Sequence, residues 1–192
     1  MRVFYPVSLN LLGRDCVVIG AADDREAIEK EAGLREAGAR VRWIQDLASL
    51  RDEDVCDAFF VLSTPQDAAL SARLRALADR HRFLLCCIDQ PTYGFVAMAA
   101  VVKAGPVRIA ISTAGLAPRV GKVLKAAFER VMDAKFRRFI DSLAAQREDV
   151  KRTFPAPEQS PIRRKAMIEA ASGFTAELTL AYPEWFETDE KT

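Results

Sequence analysis

Three places along this chain combine residue types that could do chemistry. Asp89 follows the apolar run Phe83 to Ile88 and precedes Gln90-Pro91. A carboxylate just past the C-terminal end of a strand lies where open α/β sheets bind ligands, and it can serve as a general base. A turn aspartate bonded to local backbone looks the same in sequence. Ser112-Thr113-Ala114-Gly115 ends a second apolar run, and Arg119, Lys122 and Lys125 follow it. Hydroxyls and a glycine opening a basic helix suit an anionic ligand, while a hydroxyl-capped helix with a solvated basic face is the other reading. The third place is Gly20-Ala21-Ala22-Asp23, after the run Cys16-Val17-Val18-Ile19. A strand turning through glycine into a helix offers free N–H groups to a pyrophosphate. Here Ala21 and Ala22 bring β-carbons, and Asp23 and Asp24 bring negative charge, to a place meant for an anion. An ordinary β–α turn whose acids complement the helix dipole is the alternative. Asp46, one or two residues beyond the second strand, is the candidate for a ribose-binding acid.

Other chemistries lack their parts. His81 is the single histidine and stands between Arg80 and Arg82 in a connection, so no Ser-His-Asp or Cys-His arrangement can be assembled. Cys16, Cys56, Cys86 and Cys87 form no CxxC pair, and neighbours in a strand point to opposite faces. They read as reduced thiols of a cytoplasmic protein, with no metal site. The 192 residues are 50% hydrophobic and 29% charged, with 28 Lys+Arg against 27 Asp+Glu. That balance excludes a disordered chain and, taken globally, a dedicated nucleic-acid binder. The longest apolar run, Phe95 to Val102, is far short of the roughly 20 residues that cross a bilayer. The N-terminus shows no apolar h-region; the expectation is a cytoplasmic protein without membrane contact.

The elements that must position these residues alternate. Cys16–Ile19, Val41–Ile44, Ala58–Leu62 and Phe83–Ile88 read as strands. Helices fill 24–37, which Gly38 ends, and 67–80, where Leu70, Leu74 and Leu77 share a face. Strands alternating with helices argue for a parallel sheet with right-handed crossovers. The pattern then changes. Phe95–Val102 and Val107–Ile111 resemble strands joined by a short turn at Lys103-Ala104-Gly105-Pro106. A long helical pattern opens near Pro118, its apolar residues running from Val120 to Leu143. Phe154 to Pro161 reads as a break, followed by a last helix from about Arg163 to Leu180 and an acidic tail.

With these residues in view, the chain resembles the N-terminal module of siroheme synthases, the precorrin-2 dehydrogenase and sirohydrochlorin ferrochelatase family. Tyr5-Pro6, Leu11-Leu12-Gly13-Arg14 and the strand into Gly20 look like its start. Glu36-Ala37-Gly38-Ala39-Arg40-Val41 and Phe60-Val61-Leu62-Ser63-Thr64 resemble its second and third strands. The specific part is Cys87-Ile88-Asp89-Gln90-Pro91, and then Gly105-Pro106 through Ile109 to Pro118, in register without a gap. The resemblance spans residues 3 to about 130. It implies a Rossmann-like NAD-binding domain over 1–112, a small α+β region leading into a dimerisation helix region over 113–150, and a helical region over 151–192. It implies NAD-dependent oxidation of precorrin-2 to sirohydrochlorin by a homodimer with an intertwined helical region. Asp89 would be the general base. Gly20, Ala21, Ala22, Asp46 and Thr64 would line the cofactor, and an acid at 46 favours NAD over NADP. Ser112, Thr113, Gly115, Arg119 and Lys122 would meet the tetrapyrrole.

The sequence departs from that pattern at the first turn. Three consecutive glycines are usual, whereas this chain has Gly20-Ala21-Ala22-Asp23-Asp24 and is two residues longer before Ala37-Gly38. Ala99 and Gln90 replace a usual Pro and Asp. A bifunctional dehydrogenase and metal chelatase, and a tetrapyrrole carrier without turnover, are the alternatives. Charge distribution favours an anionic partner more than the total does. Residues 119–165 carry 13 basic and 6 acidic side chains, so a substrate with eight carboxylates would be drawn there.

Overall fold

The computed structural model describes residues 4–189. Four strands form one parallel sheet in the order β2-β1-β3-β4: β1 (Asp15–Ile19), β2 (Arg40–Ile44), β3 (Phe60–Ser63) and β4 (Leu84–Cys87). Ile19 is level with Ile44 and with Ser63, and Ser63 with Cys87. All four strands therefore end together. The chain goes outward from β1 to β2 and then returns past β1 to β3, so the topological switch point lies between the carboxyl ends of β1 and β3.

Burial explains why these short runs are strands. Val18, Ile19, Val61, Leu62 and Leu85 are almost wholly removed from water, as expected for a sheet covered on both faces. One face packs Val17, Ile19, Val61 and Leu85 against Leu74, Leu77 and Ala78 of α3 (Ala68–His81). The other packs Val18, Phe60, Leu62 and Cys86 against Ala27 and Leu34 of α1 (Arg25–Glu36). Each fully buried Leu or Ile stabilises the fold by about 1.5–3 kcal/mol. Helix ends follow local chemistry. Asp24 and Asp67 cap α1 and α3 with their side chains. Gly38 takes φ +82°, and the bonds Gly38 N–H to Arg35 O and Ala39 N–H to Leu34 O complete a Schellman ending of α1. The expected face of α3 is borne out, with Leu74 and Leu77 buried and Leu70 packed against them. A short helix, α2 (Glu53–Cys56), precedes β3.

Several expectations need correction. The third strand is Phe60–Ser63 rather than Ala58–Leu62, because Ala58 closes a turn on Val55 O and Phe59 N–H reaches Asp15 O. Residues 95–99 are not part of a strand. Phe95 N–H and Val96 N–H both bond to Leu85 O, so this segment docks on β4. Gly94 allows the approach, since a β-carbon there would lie 3.1 Å from Val96 O and 3.2 Å from Leu85 O. The hairpin strands are β5 (Ala100–Ala104) and β6 (Val107–Ile111), antiparallel because two residues join them. The long helix is two helices, α4 (Pro118–Val131) and α5 (Ala134–Thr153). Asp133 adopts an extended backbone and its carboxylate accepts Phe136 N–H at 2.8 Å, starting a new helix instead of continuing the old one. The helix expected from about Arg163 to Leu180 is α6 (Ser160–Ala170), which stops well short of Leu180, with Gly173 at φ +82° just beyond it. A short α7 (Glu184–Asp189) follows.

The chain divides into two compact units, Met1–Val102 with Ile109–Ala127, and Lys103–Arg108 with Phe128–Thr192. In the second, Phe174 stacks on Phe139 at 5.1 Å, and Arg163 donates to Phe154 O and Ala156 O at 2.6 and 2.7 Å. Part of the basic excess is neutralised within helices, by Lys151–Glu148 and Arg152–Asp149. Among the described residues, no helix is long and apolar enough to cross a membrane.

Candidate functional site

The level strand ends build the site. Beyond the last strand residues the ladder continues by single bonds: Gly20 N–H to Ile44 O at 3.1 Å, Thr64 N–H to Ile19 O at 3.0 Å, and Ile88 N–H to Ser63 O at 2.9 Å. Gly20, Thr64 and Ile88 therefore share the carboxyl edge, where α/β sheets of this kind take ligands.

At the switch point Gly20 serves close packing. A β-carbon on it would lie 2.3 Å from Thr64 Oγ1 and 2.9 Å from Ala27 Cβ. Its carbonyl accepts the indole N–H of Trp43 at 2.8 Å. The turn then closes through Asp24 N–H to Ala21 O at 3.1 Å. Asp24 is the N-cap of α1, with Oδ1 accepting Glu26 N–H at 2.9 Å. Its Oδ2 accepts the hydroxyl hydrogen of Thr64. The Thr64 bond, assisted by the amides of Glu26 and Ala27 and opposed by burial, lowers the Asp24 pKa. The carboxylate is thus the anion that this helix start already holds. In this arrangement the turn does not fit a pyrophosphate on the N-terminus of α1, and Asp23 adds a second acid beside it. Ala21 and Ala22 are exposed in the same turn.

Asp46 has a different partner. It is exposed two residues past β2 and caps the 3-10 turn Leu47–Ser49, accepting Ala48 N–H at 2.9 Å.

Asp89 stands on the same edge, exposed to solvent. Gln90 N–H bonds to Cys87 O at 3.2 Å, so Asp89 is the third residue of a β-turn. Its φ of +56° is the left-handed value that this position of a type II turn requires and that glycine ordinarily supplies. Two amides pin the loop. Gln66 Nε2 donates to Ile88 O at 3.0 Å and to Thr64 O at 3.3 Å, and Gln90 Nε2 donates to Pro65 O at 3.4 Å. Arg75 secures the chain beyond it, lying 3.9 Å above the Phe95 ring and donating to Tyr93 O at 3.3 Å.

Ser112, Thr113 and Gly115 form a turn of their own. Leu116 N–H bonds to Thr113 O at 3.0 Å, with Ala114 and Gly115 at φ +52° and +79°. Two positive central residues make this a type I′ turn. Ser112 Oγ accepts Ala114 N–H at 3.3 Å, and Thr113 Oγ1 accepts Ala117 N–H at 3.4 Å, ahead of Pro118 at the start of α4. Arg119 and Lys122 are exposed on the first turns of α4. Among the described residues, no hydrogen bond joins Ser112, Thr113 or Gly115 to Asp89.

The structure therefore brings Gly20 and Thr64 together, aligns Asp89 with them along one edge, and leaves Asp46 and the Ser112 turn in separate hydrogen-bond groups. Asp24, Trp43 and Gln66 are not among the site residues expected from sequence. Asp24 enters the sequence reading only as an unfavourable charge. A tryptophan one residue before the end of β2 and an amide three residues past β3 leave no period or motif in sequence. Two concavities lie elsewhere. One of about 650 Å³ is lined by Asp15, Arg40 and Asp57 at the amino edge, and one of about 530 Å³ by Arg42, Trp43 and Arg51 beside β2. Among the described residues, no group of His, Cys, Asp and Glu could hold a metal ion.

No family model matches this chain. It is 28% identical to the siroheme synthase of Nitrosospira multiformis over a 200-position alignment covering 93% of this chain and 41% of that protein. It is likewise 28% identical to the siroheme synthase of Ectopseudomonas mendocina, with 93% and 41% covered. Against the precorrin-2 dehydrogenase of Bacillus subtilis the identity is 27% over 109 residues, 57% of this chain and 65% of that protein. Among solved structures, SirC, a precorrin-2 dehydrogenase, superposes with a TM-score of 0.67 at 18% identity, covering 88% of this chain and 90% of that one. This chain spans about two-fifths of the length of the siroheme synthases it matches. It is thus similar in sequence to siroheme synthases and to a precorrin-2 dehydrogenase, and it has the α/β fold of a precorrin-2 dehydrogenase.

Proposed function

We propose that this chain oxidises precorrin-2 to sirohydrochlorin, an oxidoreductase step in siroheme synthesis, with NAD as the hydride acceptor and Asp89 as the general base. The observation that carries the reading is Asp89 itself: an exposed carboxylate at the carboxyl edge of the sheet, held at φ +56°. Non-glycine residues keep such a backbone where the surroundings impose it, commonly at functional sites. The substrate loses a hydride and a proton, and the carboxylate takes the proton. Gln66 and Gln90 hold the loop so that the base meets one position of a large, flat substrate. Ser112 and Thr113 present hydroxyls, and Arg119 and Lys122 present charge, to its carboxylates. Gly20 and Thr64, flanked by Ala21, Ala22 and Asp46, would form the cofactor edge once the Asp24 carboxylate has left the start of α1.

The same reading carries a homodimer and a cytoplasmic location. Val120, Val123 and Val131 of α4 are more than half exposed, and a second copy would cover such a face. Sedimentation of the purified chain tests this.

Anaerobic incubation with precorrin-2 and NAD⁺, followed by the absorbance of the product, tests the activity. Wild type should form sirohydrochlorin and Asp89→Asn should not, although it binds substrate. Adding ferrous or cobaltous ion to the same mixture tests metal insertion, in which the tetrapyrrole nitrogens are the ligands. A second reading, a tetrapyrrole carrier without turnover, draws on the Asp24 carboxylate at the start of α1. Tight sirohydrochlorin binding with no turnover would favour it.

A further inference from the structure

We infer that Asp24 and Thr64 form a latch across the topological switch point, in which the Asp24 carboxylate occupies the place of a dinucleotide pyrophosphate and must withdraw before one binds. The inference rests on the NAD part of the proposed function and concerns how that cofactor is admitted.

Four observations support the latch. The crevice of a doubly wound sheet lies between the carboxyl ends of β1 and β3, and the Asp24–Thr64 bond spans those two strand ends. The other carboxylate oxygen takes Glu26 N–H, one of the first amides of a twelve-residue helix and a group a bound phosphate would use. The space that Gly20 leaves is already filled, by Thr64 Oγ1, Ala27 Cβ and the Asp24 carboxylate bonded to that hydroxyl, so the glycine makes no room for a ligand. Trp43 holds the Gly20 carbonyl from the β2 side, which fixes the turn while leaving Asp24 as the movable group.

Charge then sets the consequence. A carboxylate at the helix start satisfies the positive end of the dipole and repels an incoming phosphate. Asparagine caps a helix about as well as aspartate but carries no charge. Asp24→Asn therefore keeps the turn and removes the competition. The movement required is small, a rotation of one side chain out of the crevice into solvent.

The experiment titrates NADH, by its own fluorescence, into the full chain and into Asp24→Asn and Asp24→Ser, without any tetrapyrrole. Both variants should bind NADH about tenfold more tightly than wild type at low salt, and the advantage should shrink as salt rises. Adenosine, which lacks the pyrophosphate, should bind all three alike. Thermal unfolding verifies that both variants fold, since serine is also a good cap. Equal NADH affinity in wild type and variants would overturn the latch, as would tighter binding of adenosine and NADH by the same factor. Failure of all three proteins to bind NADH would overturn it too. Because no precorrin-2 is present, the result stands apart from the turnover test. A latch with no oxidation of precorrin-2, or oxidation with no latch, would each be visible.

Discussion

Replacing Asp89 with glycine separates what its backbone costs from what its carboxylate does. The residue sits at φ +56° with an exposed side chain that makes no hydrogen bond among the described residues. Left-handed backbone costs a non-glycine residue roughly 1–2 kcal/mol, with aspartate at the lower end. Glycine relieves that strain but gains freedom in the unfolded chain, which takes back about 0.5–1 kcal/mol. The balance is a gain of at most about 0.5 kcal/mol, or up to roughly 2 °C in Tm for a chain of this size. No lost contact offsets it. Turnover should fall by at least about 100-fold, the ordinary contribution of a positioned base, while precorrin-2 affinity changes little. Asp89→Asn, which tolerates the same φ, should leave Tm unchanged and lose the same turnover. Urea unfolding and the sirohydrochlorin absorbance assay measure the two effects separately. A glycine variant less stable than wild type by more than about 1 kcal/mol would refute the strain reasoning. Full turnover in the asparagine variant would refute the base.

Other perturbations test the edge around it. Gly20→Ala should destabilise by about 1–3 kcal/mol in urea unfolding, because its β-carbon would meet Thr64 Oγ1 at 2.3 Å inside a packed turn. Trp43→Phe removes the donor to Gly20 O and should cost about 1 kcal/mol or slightly more, read in the same assay. Burial pushes the Cys86 thiol up to about 12 and raises Cys16 and Cys87 as well. Cys56 is raised too, by desolvation and the acids Asp52, Asp57 and Glu53, but it alone is not buried, so a thiol reagent at pH 8 should label Cys56 first, and the other three only on unfolding, as followed by mass spectrometry. The Thr64 bond lowers Asp24 in the folded state below its unfolded value. Its contribution to stability is thus present above about pH 4 and is lost as pH falls through the folded pKa. In a series of urea midpoints, the stability gap between wild type and Asp24→Asn should stay constant above about pH 5 and change only below about pH 4.

Much of the fold is legible in sequence because burial on two faces writes itself as apolar runs. Val17 to Ile19, Val61-Leu62 and Leu85-Cys86 announce a covered parallel sheet, and the strand ends follow within a residue or two. Gly38 and Asp67 mark helix ends because a left-handed backbone and a cap each need particular residue types. Asp89 is legible by position, as the first polar residue past an apolar run. What escapes depends on partners distant in sequence or on one residue overriding a period. The stripe from Val120 to Leu143 keeps helical spacing straight across Asp133, yet one carboxylate bonded to Phe136 N–H divides it. Residues 95–99 are apolar enough for a strand, but two amides sharing Leu85 O turn them into a strap.

The first turn shows why a glycine motif is incomplete information about a phosphate seat. Gly20 survives in it, but for a reason unrelated to ligand approach: Thr64 and Ala27 leave no room for a β-carbon. The longer turn places an aspartate at the N-cap, where any helix would accept one, and that local preference alone explains Asp24. Its second bond does not follow from local preference. Thr64 is forty residues away and reaches Asp24 only because β3 inserts beside β1, placing its terminal hydroxyl against the start of α1. A cap that would otherwise be replaceable by serine or asparagine thereby closes the crevice. The glycine count measures how near a backbone can come to a phosphate, whereas affinity here turns on whether an internal carboxylate yields its place.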